Sequence, residues 1–318
     1  MALGNDYPTI EEHPLRSAPY HLRLPMARHF LTGEELSRDE LNALLDRAAE
    51  LKAGRSAGIG REALPGRSIA LVFERPSTRT RVSFEVGVAE LGATPIVLRG
   101  DELQLTRGES MGDTGRVLSR YVHGIVIRWG SHEIVEGLAA GASVPVINGL
   151  TPDHHPCQVL ADLLTLRERF GDLDGLKLAY VGDGNNMARS LALMGRIAGV
   201  EVRVASPDGY RLEPGIAALD TTDPREAVDG ADAVYTDVWV SIGDETEAEQ
   251  RRAELAAYRV DADLLSHAAD RAIVLHCLPA HPGEEITEDV LYGDRSLVFD
   301  EAENRLHAQK ALLELLVE

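Results

Sequence analysis

Several features that define whole classes of protein are scarce in this sequence. Only two cysteines occur in 318 residues, so no disulfide framework holds the chain together. Apolar runs such as residues 125–127 and 315–317 are far shorter than the roughly 20 residues a bilayer-spanning helix needs. Cations are in the minority: 32 Lys and Arg stand against 52 Asp and Glu, a formal net charge of −20. Such a surface repels phosphate backbones and anionic headgroups, which argues against nucleic-acid or membrane binding as the main activity. The opening stretch, MALGNDYPTIEEH, has neither the basic start nor the apolar segment of a secretory signal, so a cytoplasmic location is expected.

With 44% hydrophobic and 26% charged residues, what remains is an ordinary globular composition, and its length suits about two domains. Residues 1–25 carry four prolines without periodicity and read as an N-terminal extension. Helical spacing then begins near residue 37 with Leu41, Leu44, Leu45 and Ala48. From residue 68 onward, short β-type runs alternate with helical stretches. The first series has strands at 68–74, 94–98, 124–129 and 144–148, with helices at 78–91, 109–122 and 132–142. A long helix at 157–170 precedes a second series, with strands at 177–181, 200–205, 233–236 and 272–275. Helices are expected at 187–198, 245–258 and 302–317, with a stub at 215–219. Repeated strand–helix–strand units predict an α/β fold of two doubly wound parallel-sheet domains linked by interdomain helices.

The segment Ser77-Thr78-Arg79-Thr80-Arg81 follows a strand and opens a helix. Free N–H groups and the macrodipole at a helix start favour an anion, and hydroxyl and guanidinium donors reinforce it. A capping serine followed by solvated arginines is the bland alternative, but this density of donors in so acidic a chain favours anion binding. Two further segments lie where strands end in such folds: His154-His155-Pro156-Cys157-Gln158 and His276-Cys277-Leu278-Pro279. Paired His and Cys make nucleophilic or metal chemistry conceivable. Neither segment has the short Cys/His repeat of structural zinc sites, so no metal is expected. Gly182-Asp183-Gly184-Asn185-Asn186 mimics the start of a dinucleotide fingerprint, yet the third glycine is replaced by Met187 and Ala188. Its amides could equally bind a carboxylate or an amine.

In order, the segments at 77–81, 155–158 and 276–279 resemble the three signatures of the aspartate/ornithine carbamoyltransferase family. The resemblance runs over roughly residues 27–318. Within the family, Asp237-Val238-Trp239-Val240-Ser241, His276-Cys277-Leu278-Pro279 and the closing Glu301 to Arg305 stretch are similar to the ornithine branch. This implies transfer of the carbamoyl group of carbamoyl phosphate to the side-chain amine of L-ornithine, giving L-citrulline and phosphate, as in arginine biosynthesis. It implies no metal or organic cofactor.

By resemblance, carbamoyl phosphate is held by Ser77, Thr78, Arg79, Thr80, Arg128, His155, Gln158, Cys277, Leu278 and Arg305. Gln104 matches a position that reaches in from a neighbouring subunit, implying a homotrimer with shared active sites. Ornithine is expected at Asn186, Asp237, Ser241 and Ile242, and the catalytic group at Arg79, Arg128, His155 and Cys277. The implied division is a carbamoyl phosphate-binding domain of residues 26–150 plus 302–318 and an ornithine-binding domain of residues 151–301.

Three departures bear on this reading. Ile242 stands where ornithine enzymes carry methionine, Pro282 where the family often has arginine, and residues 210–223 form a shorter stretch than usual. Competing readings are carbamoyl transfer to putrescine, lysine or an N-acylated ornithine, a non-catalytic binding homologue, and a nicotinamide oxidoreductase. A degenerate homologue would have lost Arg79, His155 or Cys277, and all three are present.

Overall fold

The computed structural model describes residues 27–60, 62–103, 108–240 and 245–317. The extension at 1–25, Gln104, Ser241 and Ile242 therefore lie outside the described residues.

Two parallel sheets organise the chain, as the alternating pattern predicts. The first joins β1 (Ser68–Phe73), β2 (Thr94–Arg99), β3 (Gly124–Arg128) and β4 (Val146–Leu150) in the order β2-β1-β3-β4. The second joins β5 (Lys177–Val181), β6 (Glu201–Ala205), β7 (Leu219–Thr221), β8 (Ala233–Tyr235) and β9 (Ile273–Leu275) in the order β7-β6-β5-β8-β9. Central strands are covered on both faces, which is why they read as unbroken apolar runs rather than alternating ones. Strand order reverses between β1 and β3 in one sheet and between β5 and β8 in the other. Crevices at the carboxyl ends of those strand pairs are where such sheets bind ligands.

In the first half, α1 (Arg38–Ala53), α2 (Thr78–Glu90), α3 (Met111–Leu118) and α4 (His132–Gly141) surround the sheet. A reciprocal capping box between Ser37 and Glu40 starts α1, and Leu41, Leu44, Leu45, Ala48 and Leu51 form its buried stripe. Two helices lack an exposed face over most of their length. In α5 (Pro156–Phe170) every residue from Pro156 to Leu166 is buried, and in α11 (Val298–Leu316) every residue from Asn304 to Leu313 is. Such all-round burial marks helices sandwiched between layers. One continuous apolar cluster runs through them from Leu71 in the first sheet to Tyr180 and Tyr235 in the second.

Between these two lie α6 (Asn186–Ala198), α7 (Pro224–Val228), α8 (Ala248–Leu255), α9 (Ala262–Leu265) and α10 (Glu288–Leu291). The expected helical stub at 215–219 does not form. Gly215 takes φ 87°, a left-handed conformation, and the chain turns there into the edge strand β7. The glycines that mimicked a dinucleotide fingerprint also have a local explanation. Gly182 sits at φ 138°, and a Cβ on Gly184 would come within 2.4 Å of the Tyr210 carbonyl oxygen. Backbone geometry requires both, so they carry no signal for a pyrophosphate.

Candidate active site

At the reversal point of the first sheet, β1 ends at Phe73 and α2 begins at Thr78. Ser77 is the N-cap, extended at φ −149°, but its hydroxyl makes no capping bond. That hydroxyl instead accepts from Arg128 Nη1 at 3.1 Å. Arg128, the last residue of β3, also donates to Thr80 Oγ1 at 3.3 Å, and Arg305 Nη2 of α11 donates to the same oxygen at 2.7 Å. Thr80 is buried, whereas Thr78 and Arg79 are exposed on the first turn of α2.

Three guanidinium groups therefore converge on one helix start. Burial, then the charges of Arg305 and Arg79, push Arg128 down to about 10. Among the described residues, no carboxylate lies within ion-pair distance of Arg79, Arg128 or Arg305. Crowded, half-desolvated cations without a counter-charge are the electrostatic signature of a site built for an anion.

His155 begins α5 beside them. It is buried, its backbone N–H donates to Ser190 Oγ at 2.8 Å, and its Nδ1 has no partner within the protein. Burial and the three arginines hold it well below the usual imidazole range, so at neutral pH it offers a neutral ring. One turn on, Gln158 is fully buried and hydrogen-bonded on both sides. Its Oε1 accepts from Arg305 Nη1, while its Nε2 donates to Asp162 Oδ1 at 2.8 Å and Glu301 Oε1 at 2.9 Å.

The reversal point of the second sheet supplies the other half. Asp237, just beyond β8, is buried and accepts from Cys277 Sγ at 3.0 Å and from its neighbour Val238 N at 2.8 Å through Oδ1. Its Oδ2 accepts from Asn185 Nδ2 at 2.9 Å. Asn185 is also the N-cap of α6, accepting from Met187 N and Ala188 N. Asn186 Nδ2 donates to the Thr151 carbonyl at 2.7 Å, tying this loop to the segment ahead of His155. Burial and the negative Asp237 push Cys277 well above the ordinary thiol range, so it is a donating thiol in this arrangement. Glu301 joins the two half-sites, accepting from Gln158 Nε2 at 2.9 Å and from the backbone N–H of His276, the neighbour of Cys277, at 2.9 Å.

The backbone around Cys277 is held firmly. His276 is fully buried, its Nδ1 accepts from Leu278 N at 2.9 Å, and its Nε2 lies 3.2 Å from Glu285 Oε1. Leu278, at φ 57°, precedes a cis peptide to Pro279. A left-handed leucine is disfavoured and persists only where its surroundings over-determine it, as the His276 bond does here. Ligand atoms of Asp237, His276 and Cys277 lie within 4.8 Å of one another, a cluster with metal-binding donors. Both His276 nitrogens, however, are already engaged by Leu278 and Glu285, which leaves no imidazole lone pair for an ion.

Of the residues singled out in the sequence, Ser77, Thr80, Arg128, His155, Gln158 and Arg305 meet in one hydrogen-bonded and electrostatic group. Asp237 and Cys277 form the second group. Asn186, Leu278, Thr78 and Arg79 line the segments between and around them. Asn185, Asp162, Glu301 and Glu285 were missed. Asn185 had a readable signal, since it stands at the N-cap before an apolar helical stretch. Asp162 lies within the apolar series Val159, Leu160, Leu163 and Leu164, where a lone carboxyl on a core face asks for a partner.

Two family models match the chain: the carbamoyl-P binding domain of aspartate/ornithine carbamoyltransferase over residues 28–168, and its Asp/Orn binding domain over residues 174–316. The chain is 54% identical over 306 residues to the ornithine carbamoyltransferase of Acidothermus cellulolyticus, covering 92% of this chain and 97% of that protein. It is 53% identical over 303 residues to that of Symbiobacterium thermophilum, with 91% and 98% covered. Among solved structures it superposes on ornithine carbamoyltransferase from Pyrococcus furiosus with a TM-score of 0.87 at 45% identity, covering 92% and 97% of the two chains. For the Thermus thermophilus structure the TM-score is 0.84 at 45% identity, with 91% and 98% covered.

Proposed function

The chain belongs to the aspartate/ornithine carbamoyltransferase family, and from that premise we propose how its residues share the work of carbamoyl transfer from carbamoyl phosphate to L-ornithine. The enzyme is a transferase that yields L-citrulline and phosphate. The observation that carries the assignment of roles is the joining of two unlike half-sites through Glu301, which accepts from both Gln158 and His276 N. One is a helix start ringed by Arg79, Arg128 and Arg305; the other pairs the buried Asp237 with the half-buried Cys277.

Carbamoyl phosphate places its phosphate on the Ser77–Thr80 N–H groups and Arg79, where macrodipole and guanidinium charge act together. Its carbonyl oxygen faces Thr80, Arg128 and His155. These donors gain strength as the oxygen becomes an oxyanion, and preorganised donors of this kind are usually the largest catalytic contribution. The carbamoyl NH2 meets acceptors at Gln158 and at the backbone of Cys277 and Leu278. Ornithine sets its α-ammonium against Asp237 and its carboxylate against Asn186 and donors around Ser241 and Ile242.

For reaction, the δ-ammonium first loses a proton, because a Lys-like amine is protonated near neutrality. Its nitrogen then bonds to the carbamoyl carbon while the bond from that carbon to the phosphate oxygen breaks. The nitrogen gives up one of its two protons to phosphate or solvent and keeps the other as the N–H of citrulline. Cys277 is already protonated and donates to Asp237, so its first service is to hold that carboxylate in place. Once the substrate ammonium neutralises Asp237, the thiol is released to take part in proton transfer.

The assembly we propose is a homotrimer in which Gln104 of one subunit completes a neighbour's site. Residues 26–150 with 302–318 form the carbamoyl phosphate domain and residues 151–301 the ornithine domain. No described helix is long and apolar enough to cross a membrane, and we propose a cytoplasmic location. Sharing is tested by mixing inactive Gln104→Ala and Arg79→Ala subunits; verified hybrids that recover no activity would refute it.

The decisive test of the roles is citrulline formation by the wild type and by Arg79→Ala. Loss of this charged donor should lower kcat/KM at least about a hundredfold, or about 2.7 kcal/mol. Near-normal turnover in folded Arg79→Ala protein would remove the anion site from the mechanism.

A further inference from the structure

We infer that Glu301, with Asp162 beside it, is a positioning residue that fixes which face of the Gln158 amide meets the substrate, and thereby selects a carbamoyl over an acyl phosphate. The inference rests on the reading above that Gln158 meets the carbamoyl NH2.

A glutamine amide is nearly symmetric in shape, so its orientation is decided by its neighbours. Gln158 is fully buried, and its neighbours are unlike on the two sides. Two carboxyl oxygens, from Asp162 and Glu301, sit 2.8 and 2.9 Å from Nε2, and the Arg305 guanidinium sits on Oε1. Turning the amide over would set its NH2 against a cation and its carbonyl against two carboxyl groups. Both contacts would be repulsive, and all three hydrogen bonds would be lost. The second lone pair of Oε1 is therefore presented as an acceptor. A carbamoyl NH2 can donate to it, whereas the methyl of acetyl phosphate cannot.

Glu301 and Asp162 play unequal parts. Glu301 accepts from Tyr235 OH at 3.1 Å through Oε1 and from His276 N at 2.9 Å through Oε2, besides Gln158. With three donors aimed at it, it acts as the acceptor. Asp162 Oδ2 is buried with no other hydrogen-bond partner, and burial plus the adjacent Glu301 push this carboxyl well above its ordinary range. Burial pushes Glu301 up as well, so the adjacent carboxyls share a proton, and the three donors aimed at Glu301 place it on Asp162. The acceptance from His276 N also ties the amide's orientation to the backbone of the Cys277 segment, which binds the same carbamoyl group.

The two carboxyls should then respond differently to amide substitution. Asn at 162 keeps both an acceptor for Gln158 and a donor toward Glu301. Gln at 301 brings an NH2 into a ring of donors and removes the reason for Gln158 to face one way. The experiment measures inorganic phosphate and carbamoyl phosphate affinities, the ornithine KM, and acetyl phosphate inhibition. We expect Glu301→Gln to weaken carbamoyl phosphate at least about tenfold and to leave phosphate within about twofold. The preference for carbamoyl phosphate over acetyl phosphate should narrow by a similar factor, and Asp162→Asn should stay within about threefold of wild type throughout.

A merely structural role would weaken phosphate and carbamoyl phosphate together, and that result overturns the inference. So does an Asp162→Asn loss as large as that of Glu301→Gln. Should Glu301→Gln not fold, Tyr235→Phe removes one donor to Glu301 and should give the same split at about two- to fivefold; no split there overturns it as well. Wild-type protein that makes no citrulline would refute the functional reading itself, whereas active wild type without the split refutes only this inference.

Discussion

Thr80 Oγ1 accepts a hydrogen bond from Arg305 Nη2 at 2.7 Å, although 225 residues separate the two in the chain. The bond fastens the closing helix α11 onto the first turn of α2, so the anion pocket is complete only when the end of the chain has docked. The same guanidinium reaches Gln158 through Nη1. One planar fork thereby links the helix start to the interdomain helix α5.

Lysine cannot reproduce that fork, because a single ammonium cannot hold two acceptors in the same plane. Arg305→Lys should therefore retain positive charge yet lose roughly 30- to 100-fold in kcat/KM, the usual scale for one preorganised donor. Steady-state kinetics with carbamoyl phosphate varied will check this. A variant within about threefold of wild type would show that charge alone suffices at this position.

The pH dependence of the rate follows from two groups whose behaviour differs. His155 is held neutral by burial and by Arg305, Arg128 and Arg79, so it contributes no titration near its ordinary value of about 6.5. Ornithine's δ-amine, by contrast, is mostly protonated up to about pH 10. At limiting ornithine, kcat/KM should rise about tenfold per pH unit between roughly pH 6.5 and 8.5, following the free amine. A bend between pH 6 and 7 that disappears in His155→Gln would contradict the neutral-ring assignment.

His154, next in the chain, reports on stability rather than rate. Burial first, then the charges of His132 and Arg189, push it down to about 4. An unfolded histidine titrates near 6.5, so on acidification the unfolded state takes up the proton first. The contribution is present above about pH 6.5 and is lost progressively as pH falls toward the folded value of about 4. Between pH 7 and pH 5 this amounts to at most about 2 kcal/mol, reduced by solvent screening at the half-buried ring. Urea denaturation of wild type and His154→Gln at both pH values will test it. The variant should be the less acid-sensitive of the two, and equal sensitivity would assign the acid lability elsewhere.

What was legible in the sequence was mostly what is local. Central strands such as residues 69–73 announce themselves because burial on both faces makes them continuously apolar. The edge strand β7, Leu-Asp-Thr, has no such run, since its place is set by pairing with β6 rather than by its own composition. The closing helix starts at Val298 rather than at residue 302, and α3 spans Met111–Leu118 rather than 109–122, because caps and packing set ends that periodicity does not. The same division holds at the site. Ser77 to Arg81 is readable as five neighbouring residues at a helix start. Glu301 is not, because its meaning comes from Tyr235, His276 and Gln158, each far away in the chain. The family resemblance supplied Arg128, His155 and Arg305 together, a grouping that spacing alone could not reveal.

Amine preference is the remaining property on which the sequence departs from its branch, through Ile242. A β-branched side chain is stiffer than methionine. Asp237, Asn186 and Cys277 are nevertheless all present, and the structure engages each in a hydrogen bond near the second reversal point. Those polar groups suit an α-amino acid. Putrescine lacks the α-carboxylate, so it would leave the groups around Asn186 and Ser241 unpaired, which is costlier than a change of apolar shape. An apolar size change is worth only about 1–3 kcal/mol in discrimination. We therefore expect kcat/KM for ornithine to exceed that for putrescine by on the order of a hundredfold or more, with lysine, one methylene longer, falling between them. The measurement is initial carbamoyl-amine formation with each amine at matched concentration and saturating carbamoyl phosphate. If putrescine or lysine equalled ornithine, the polar groups around Asp237 and Asn186 would not be reading an α-amino acid, and Ile242 would have redirected the pocket to another amine.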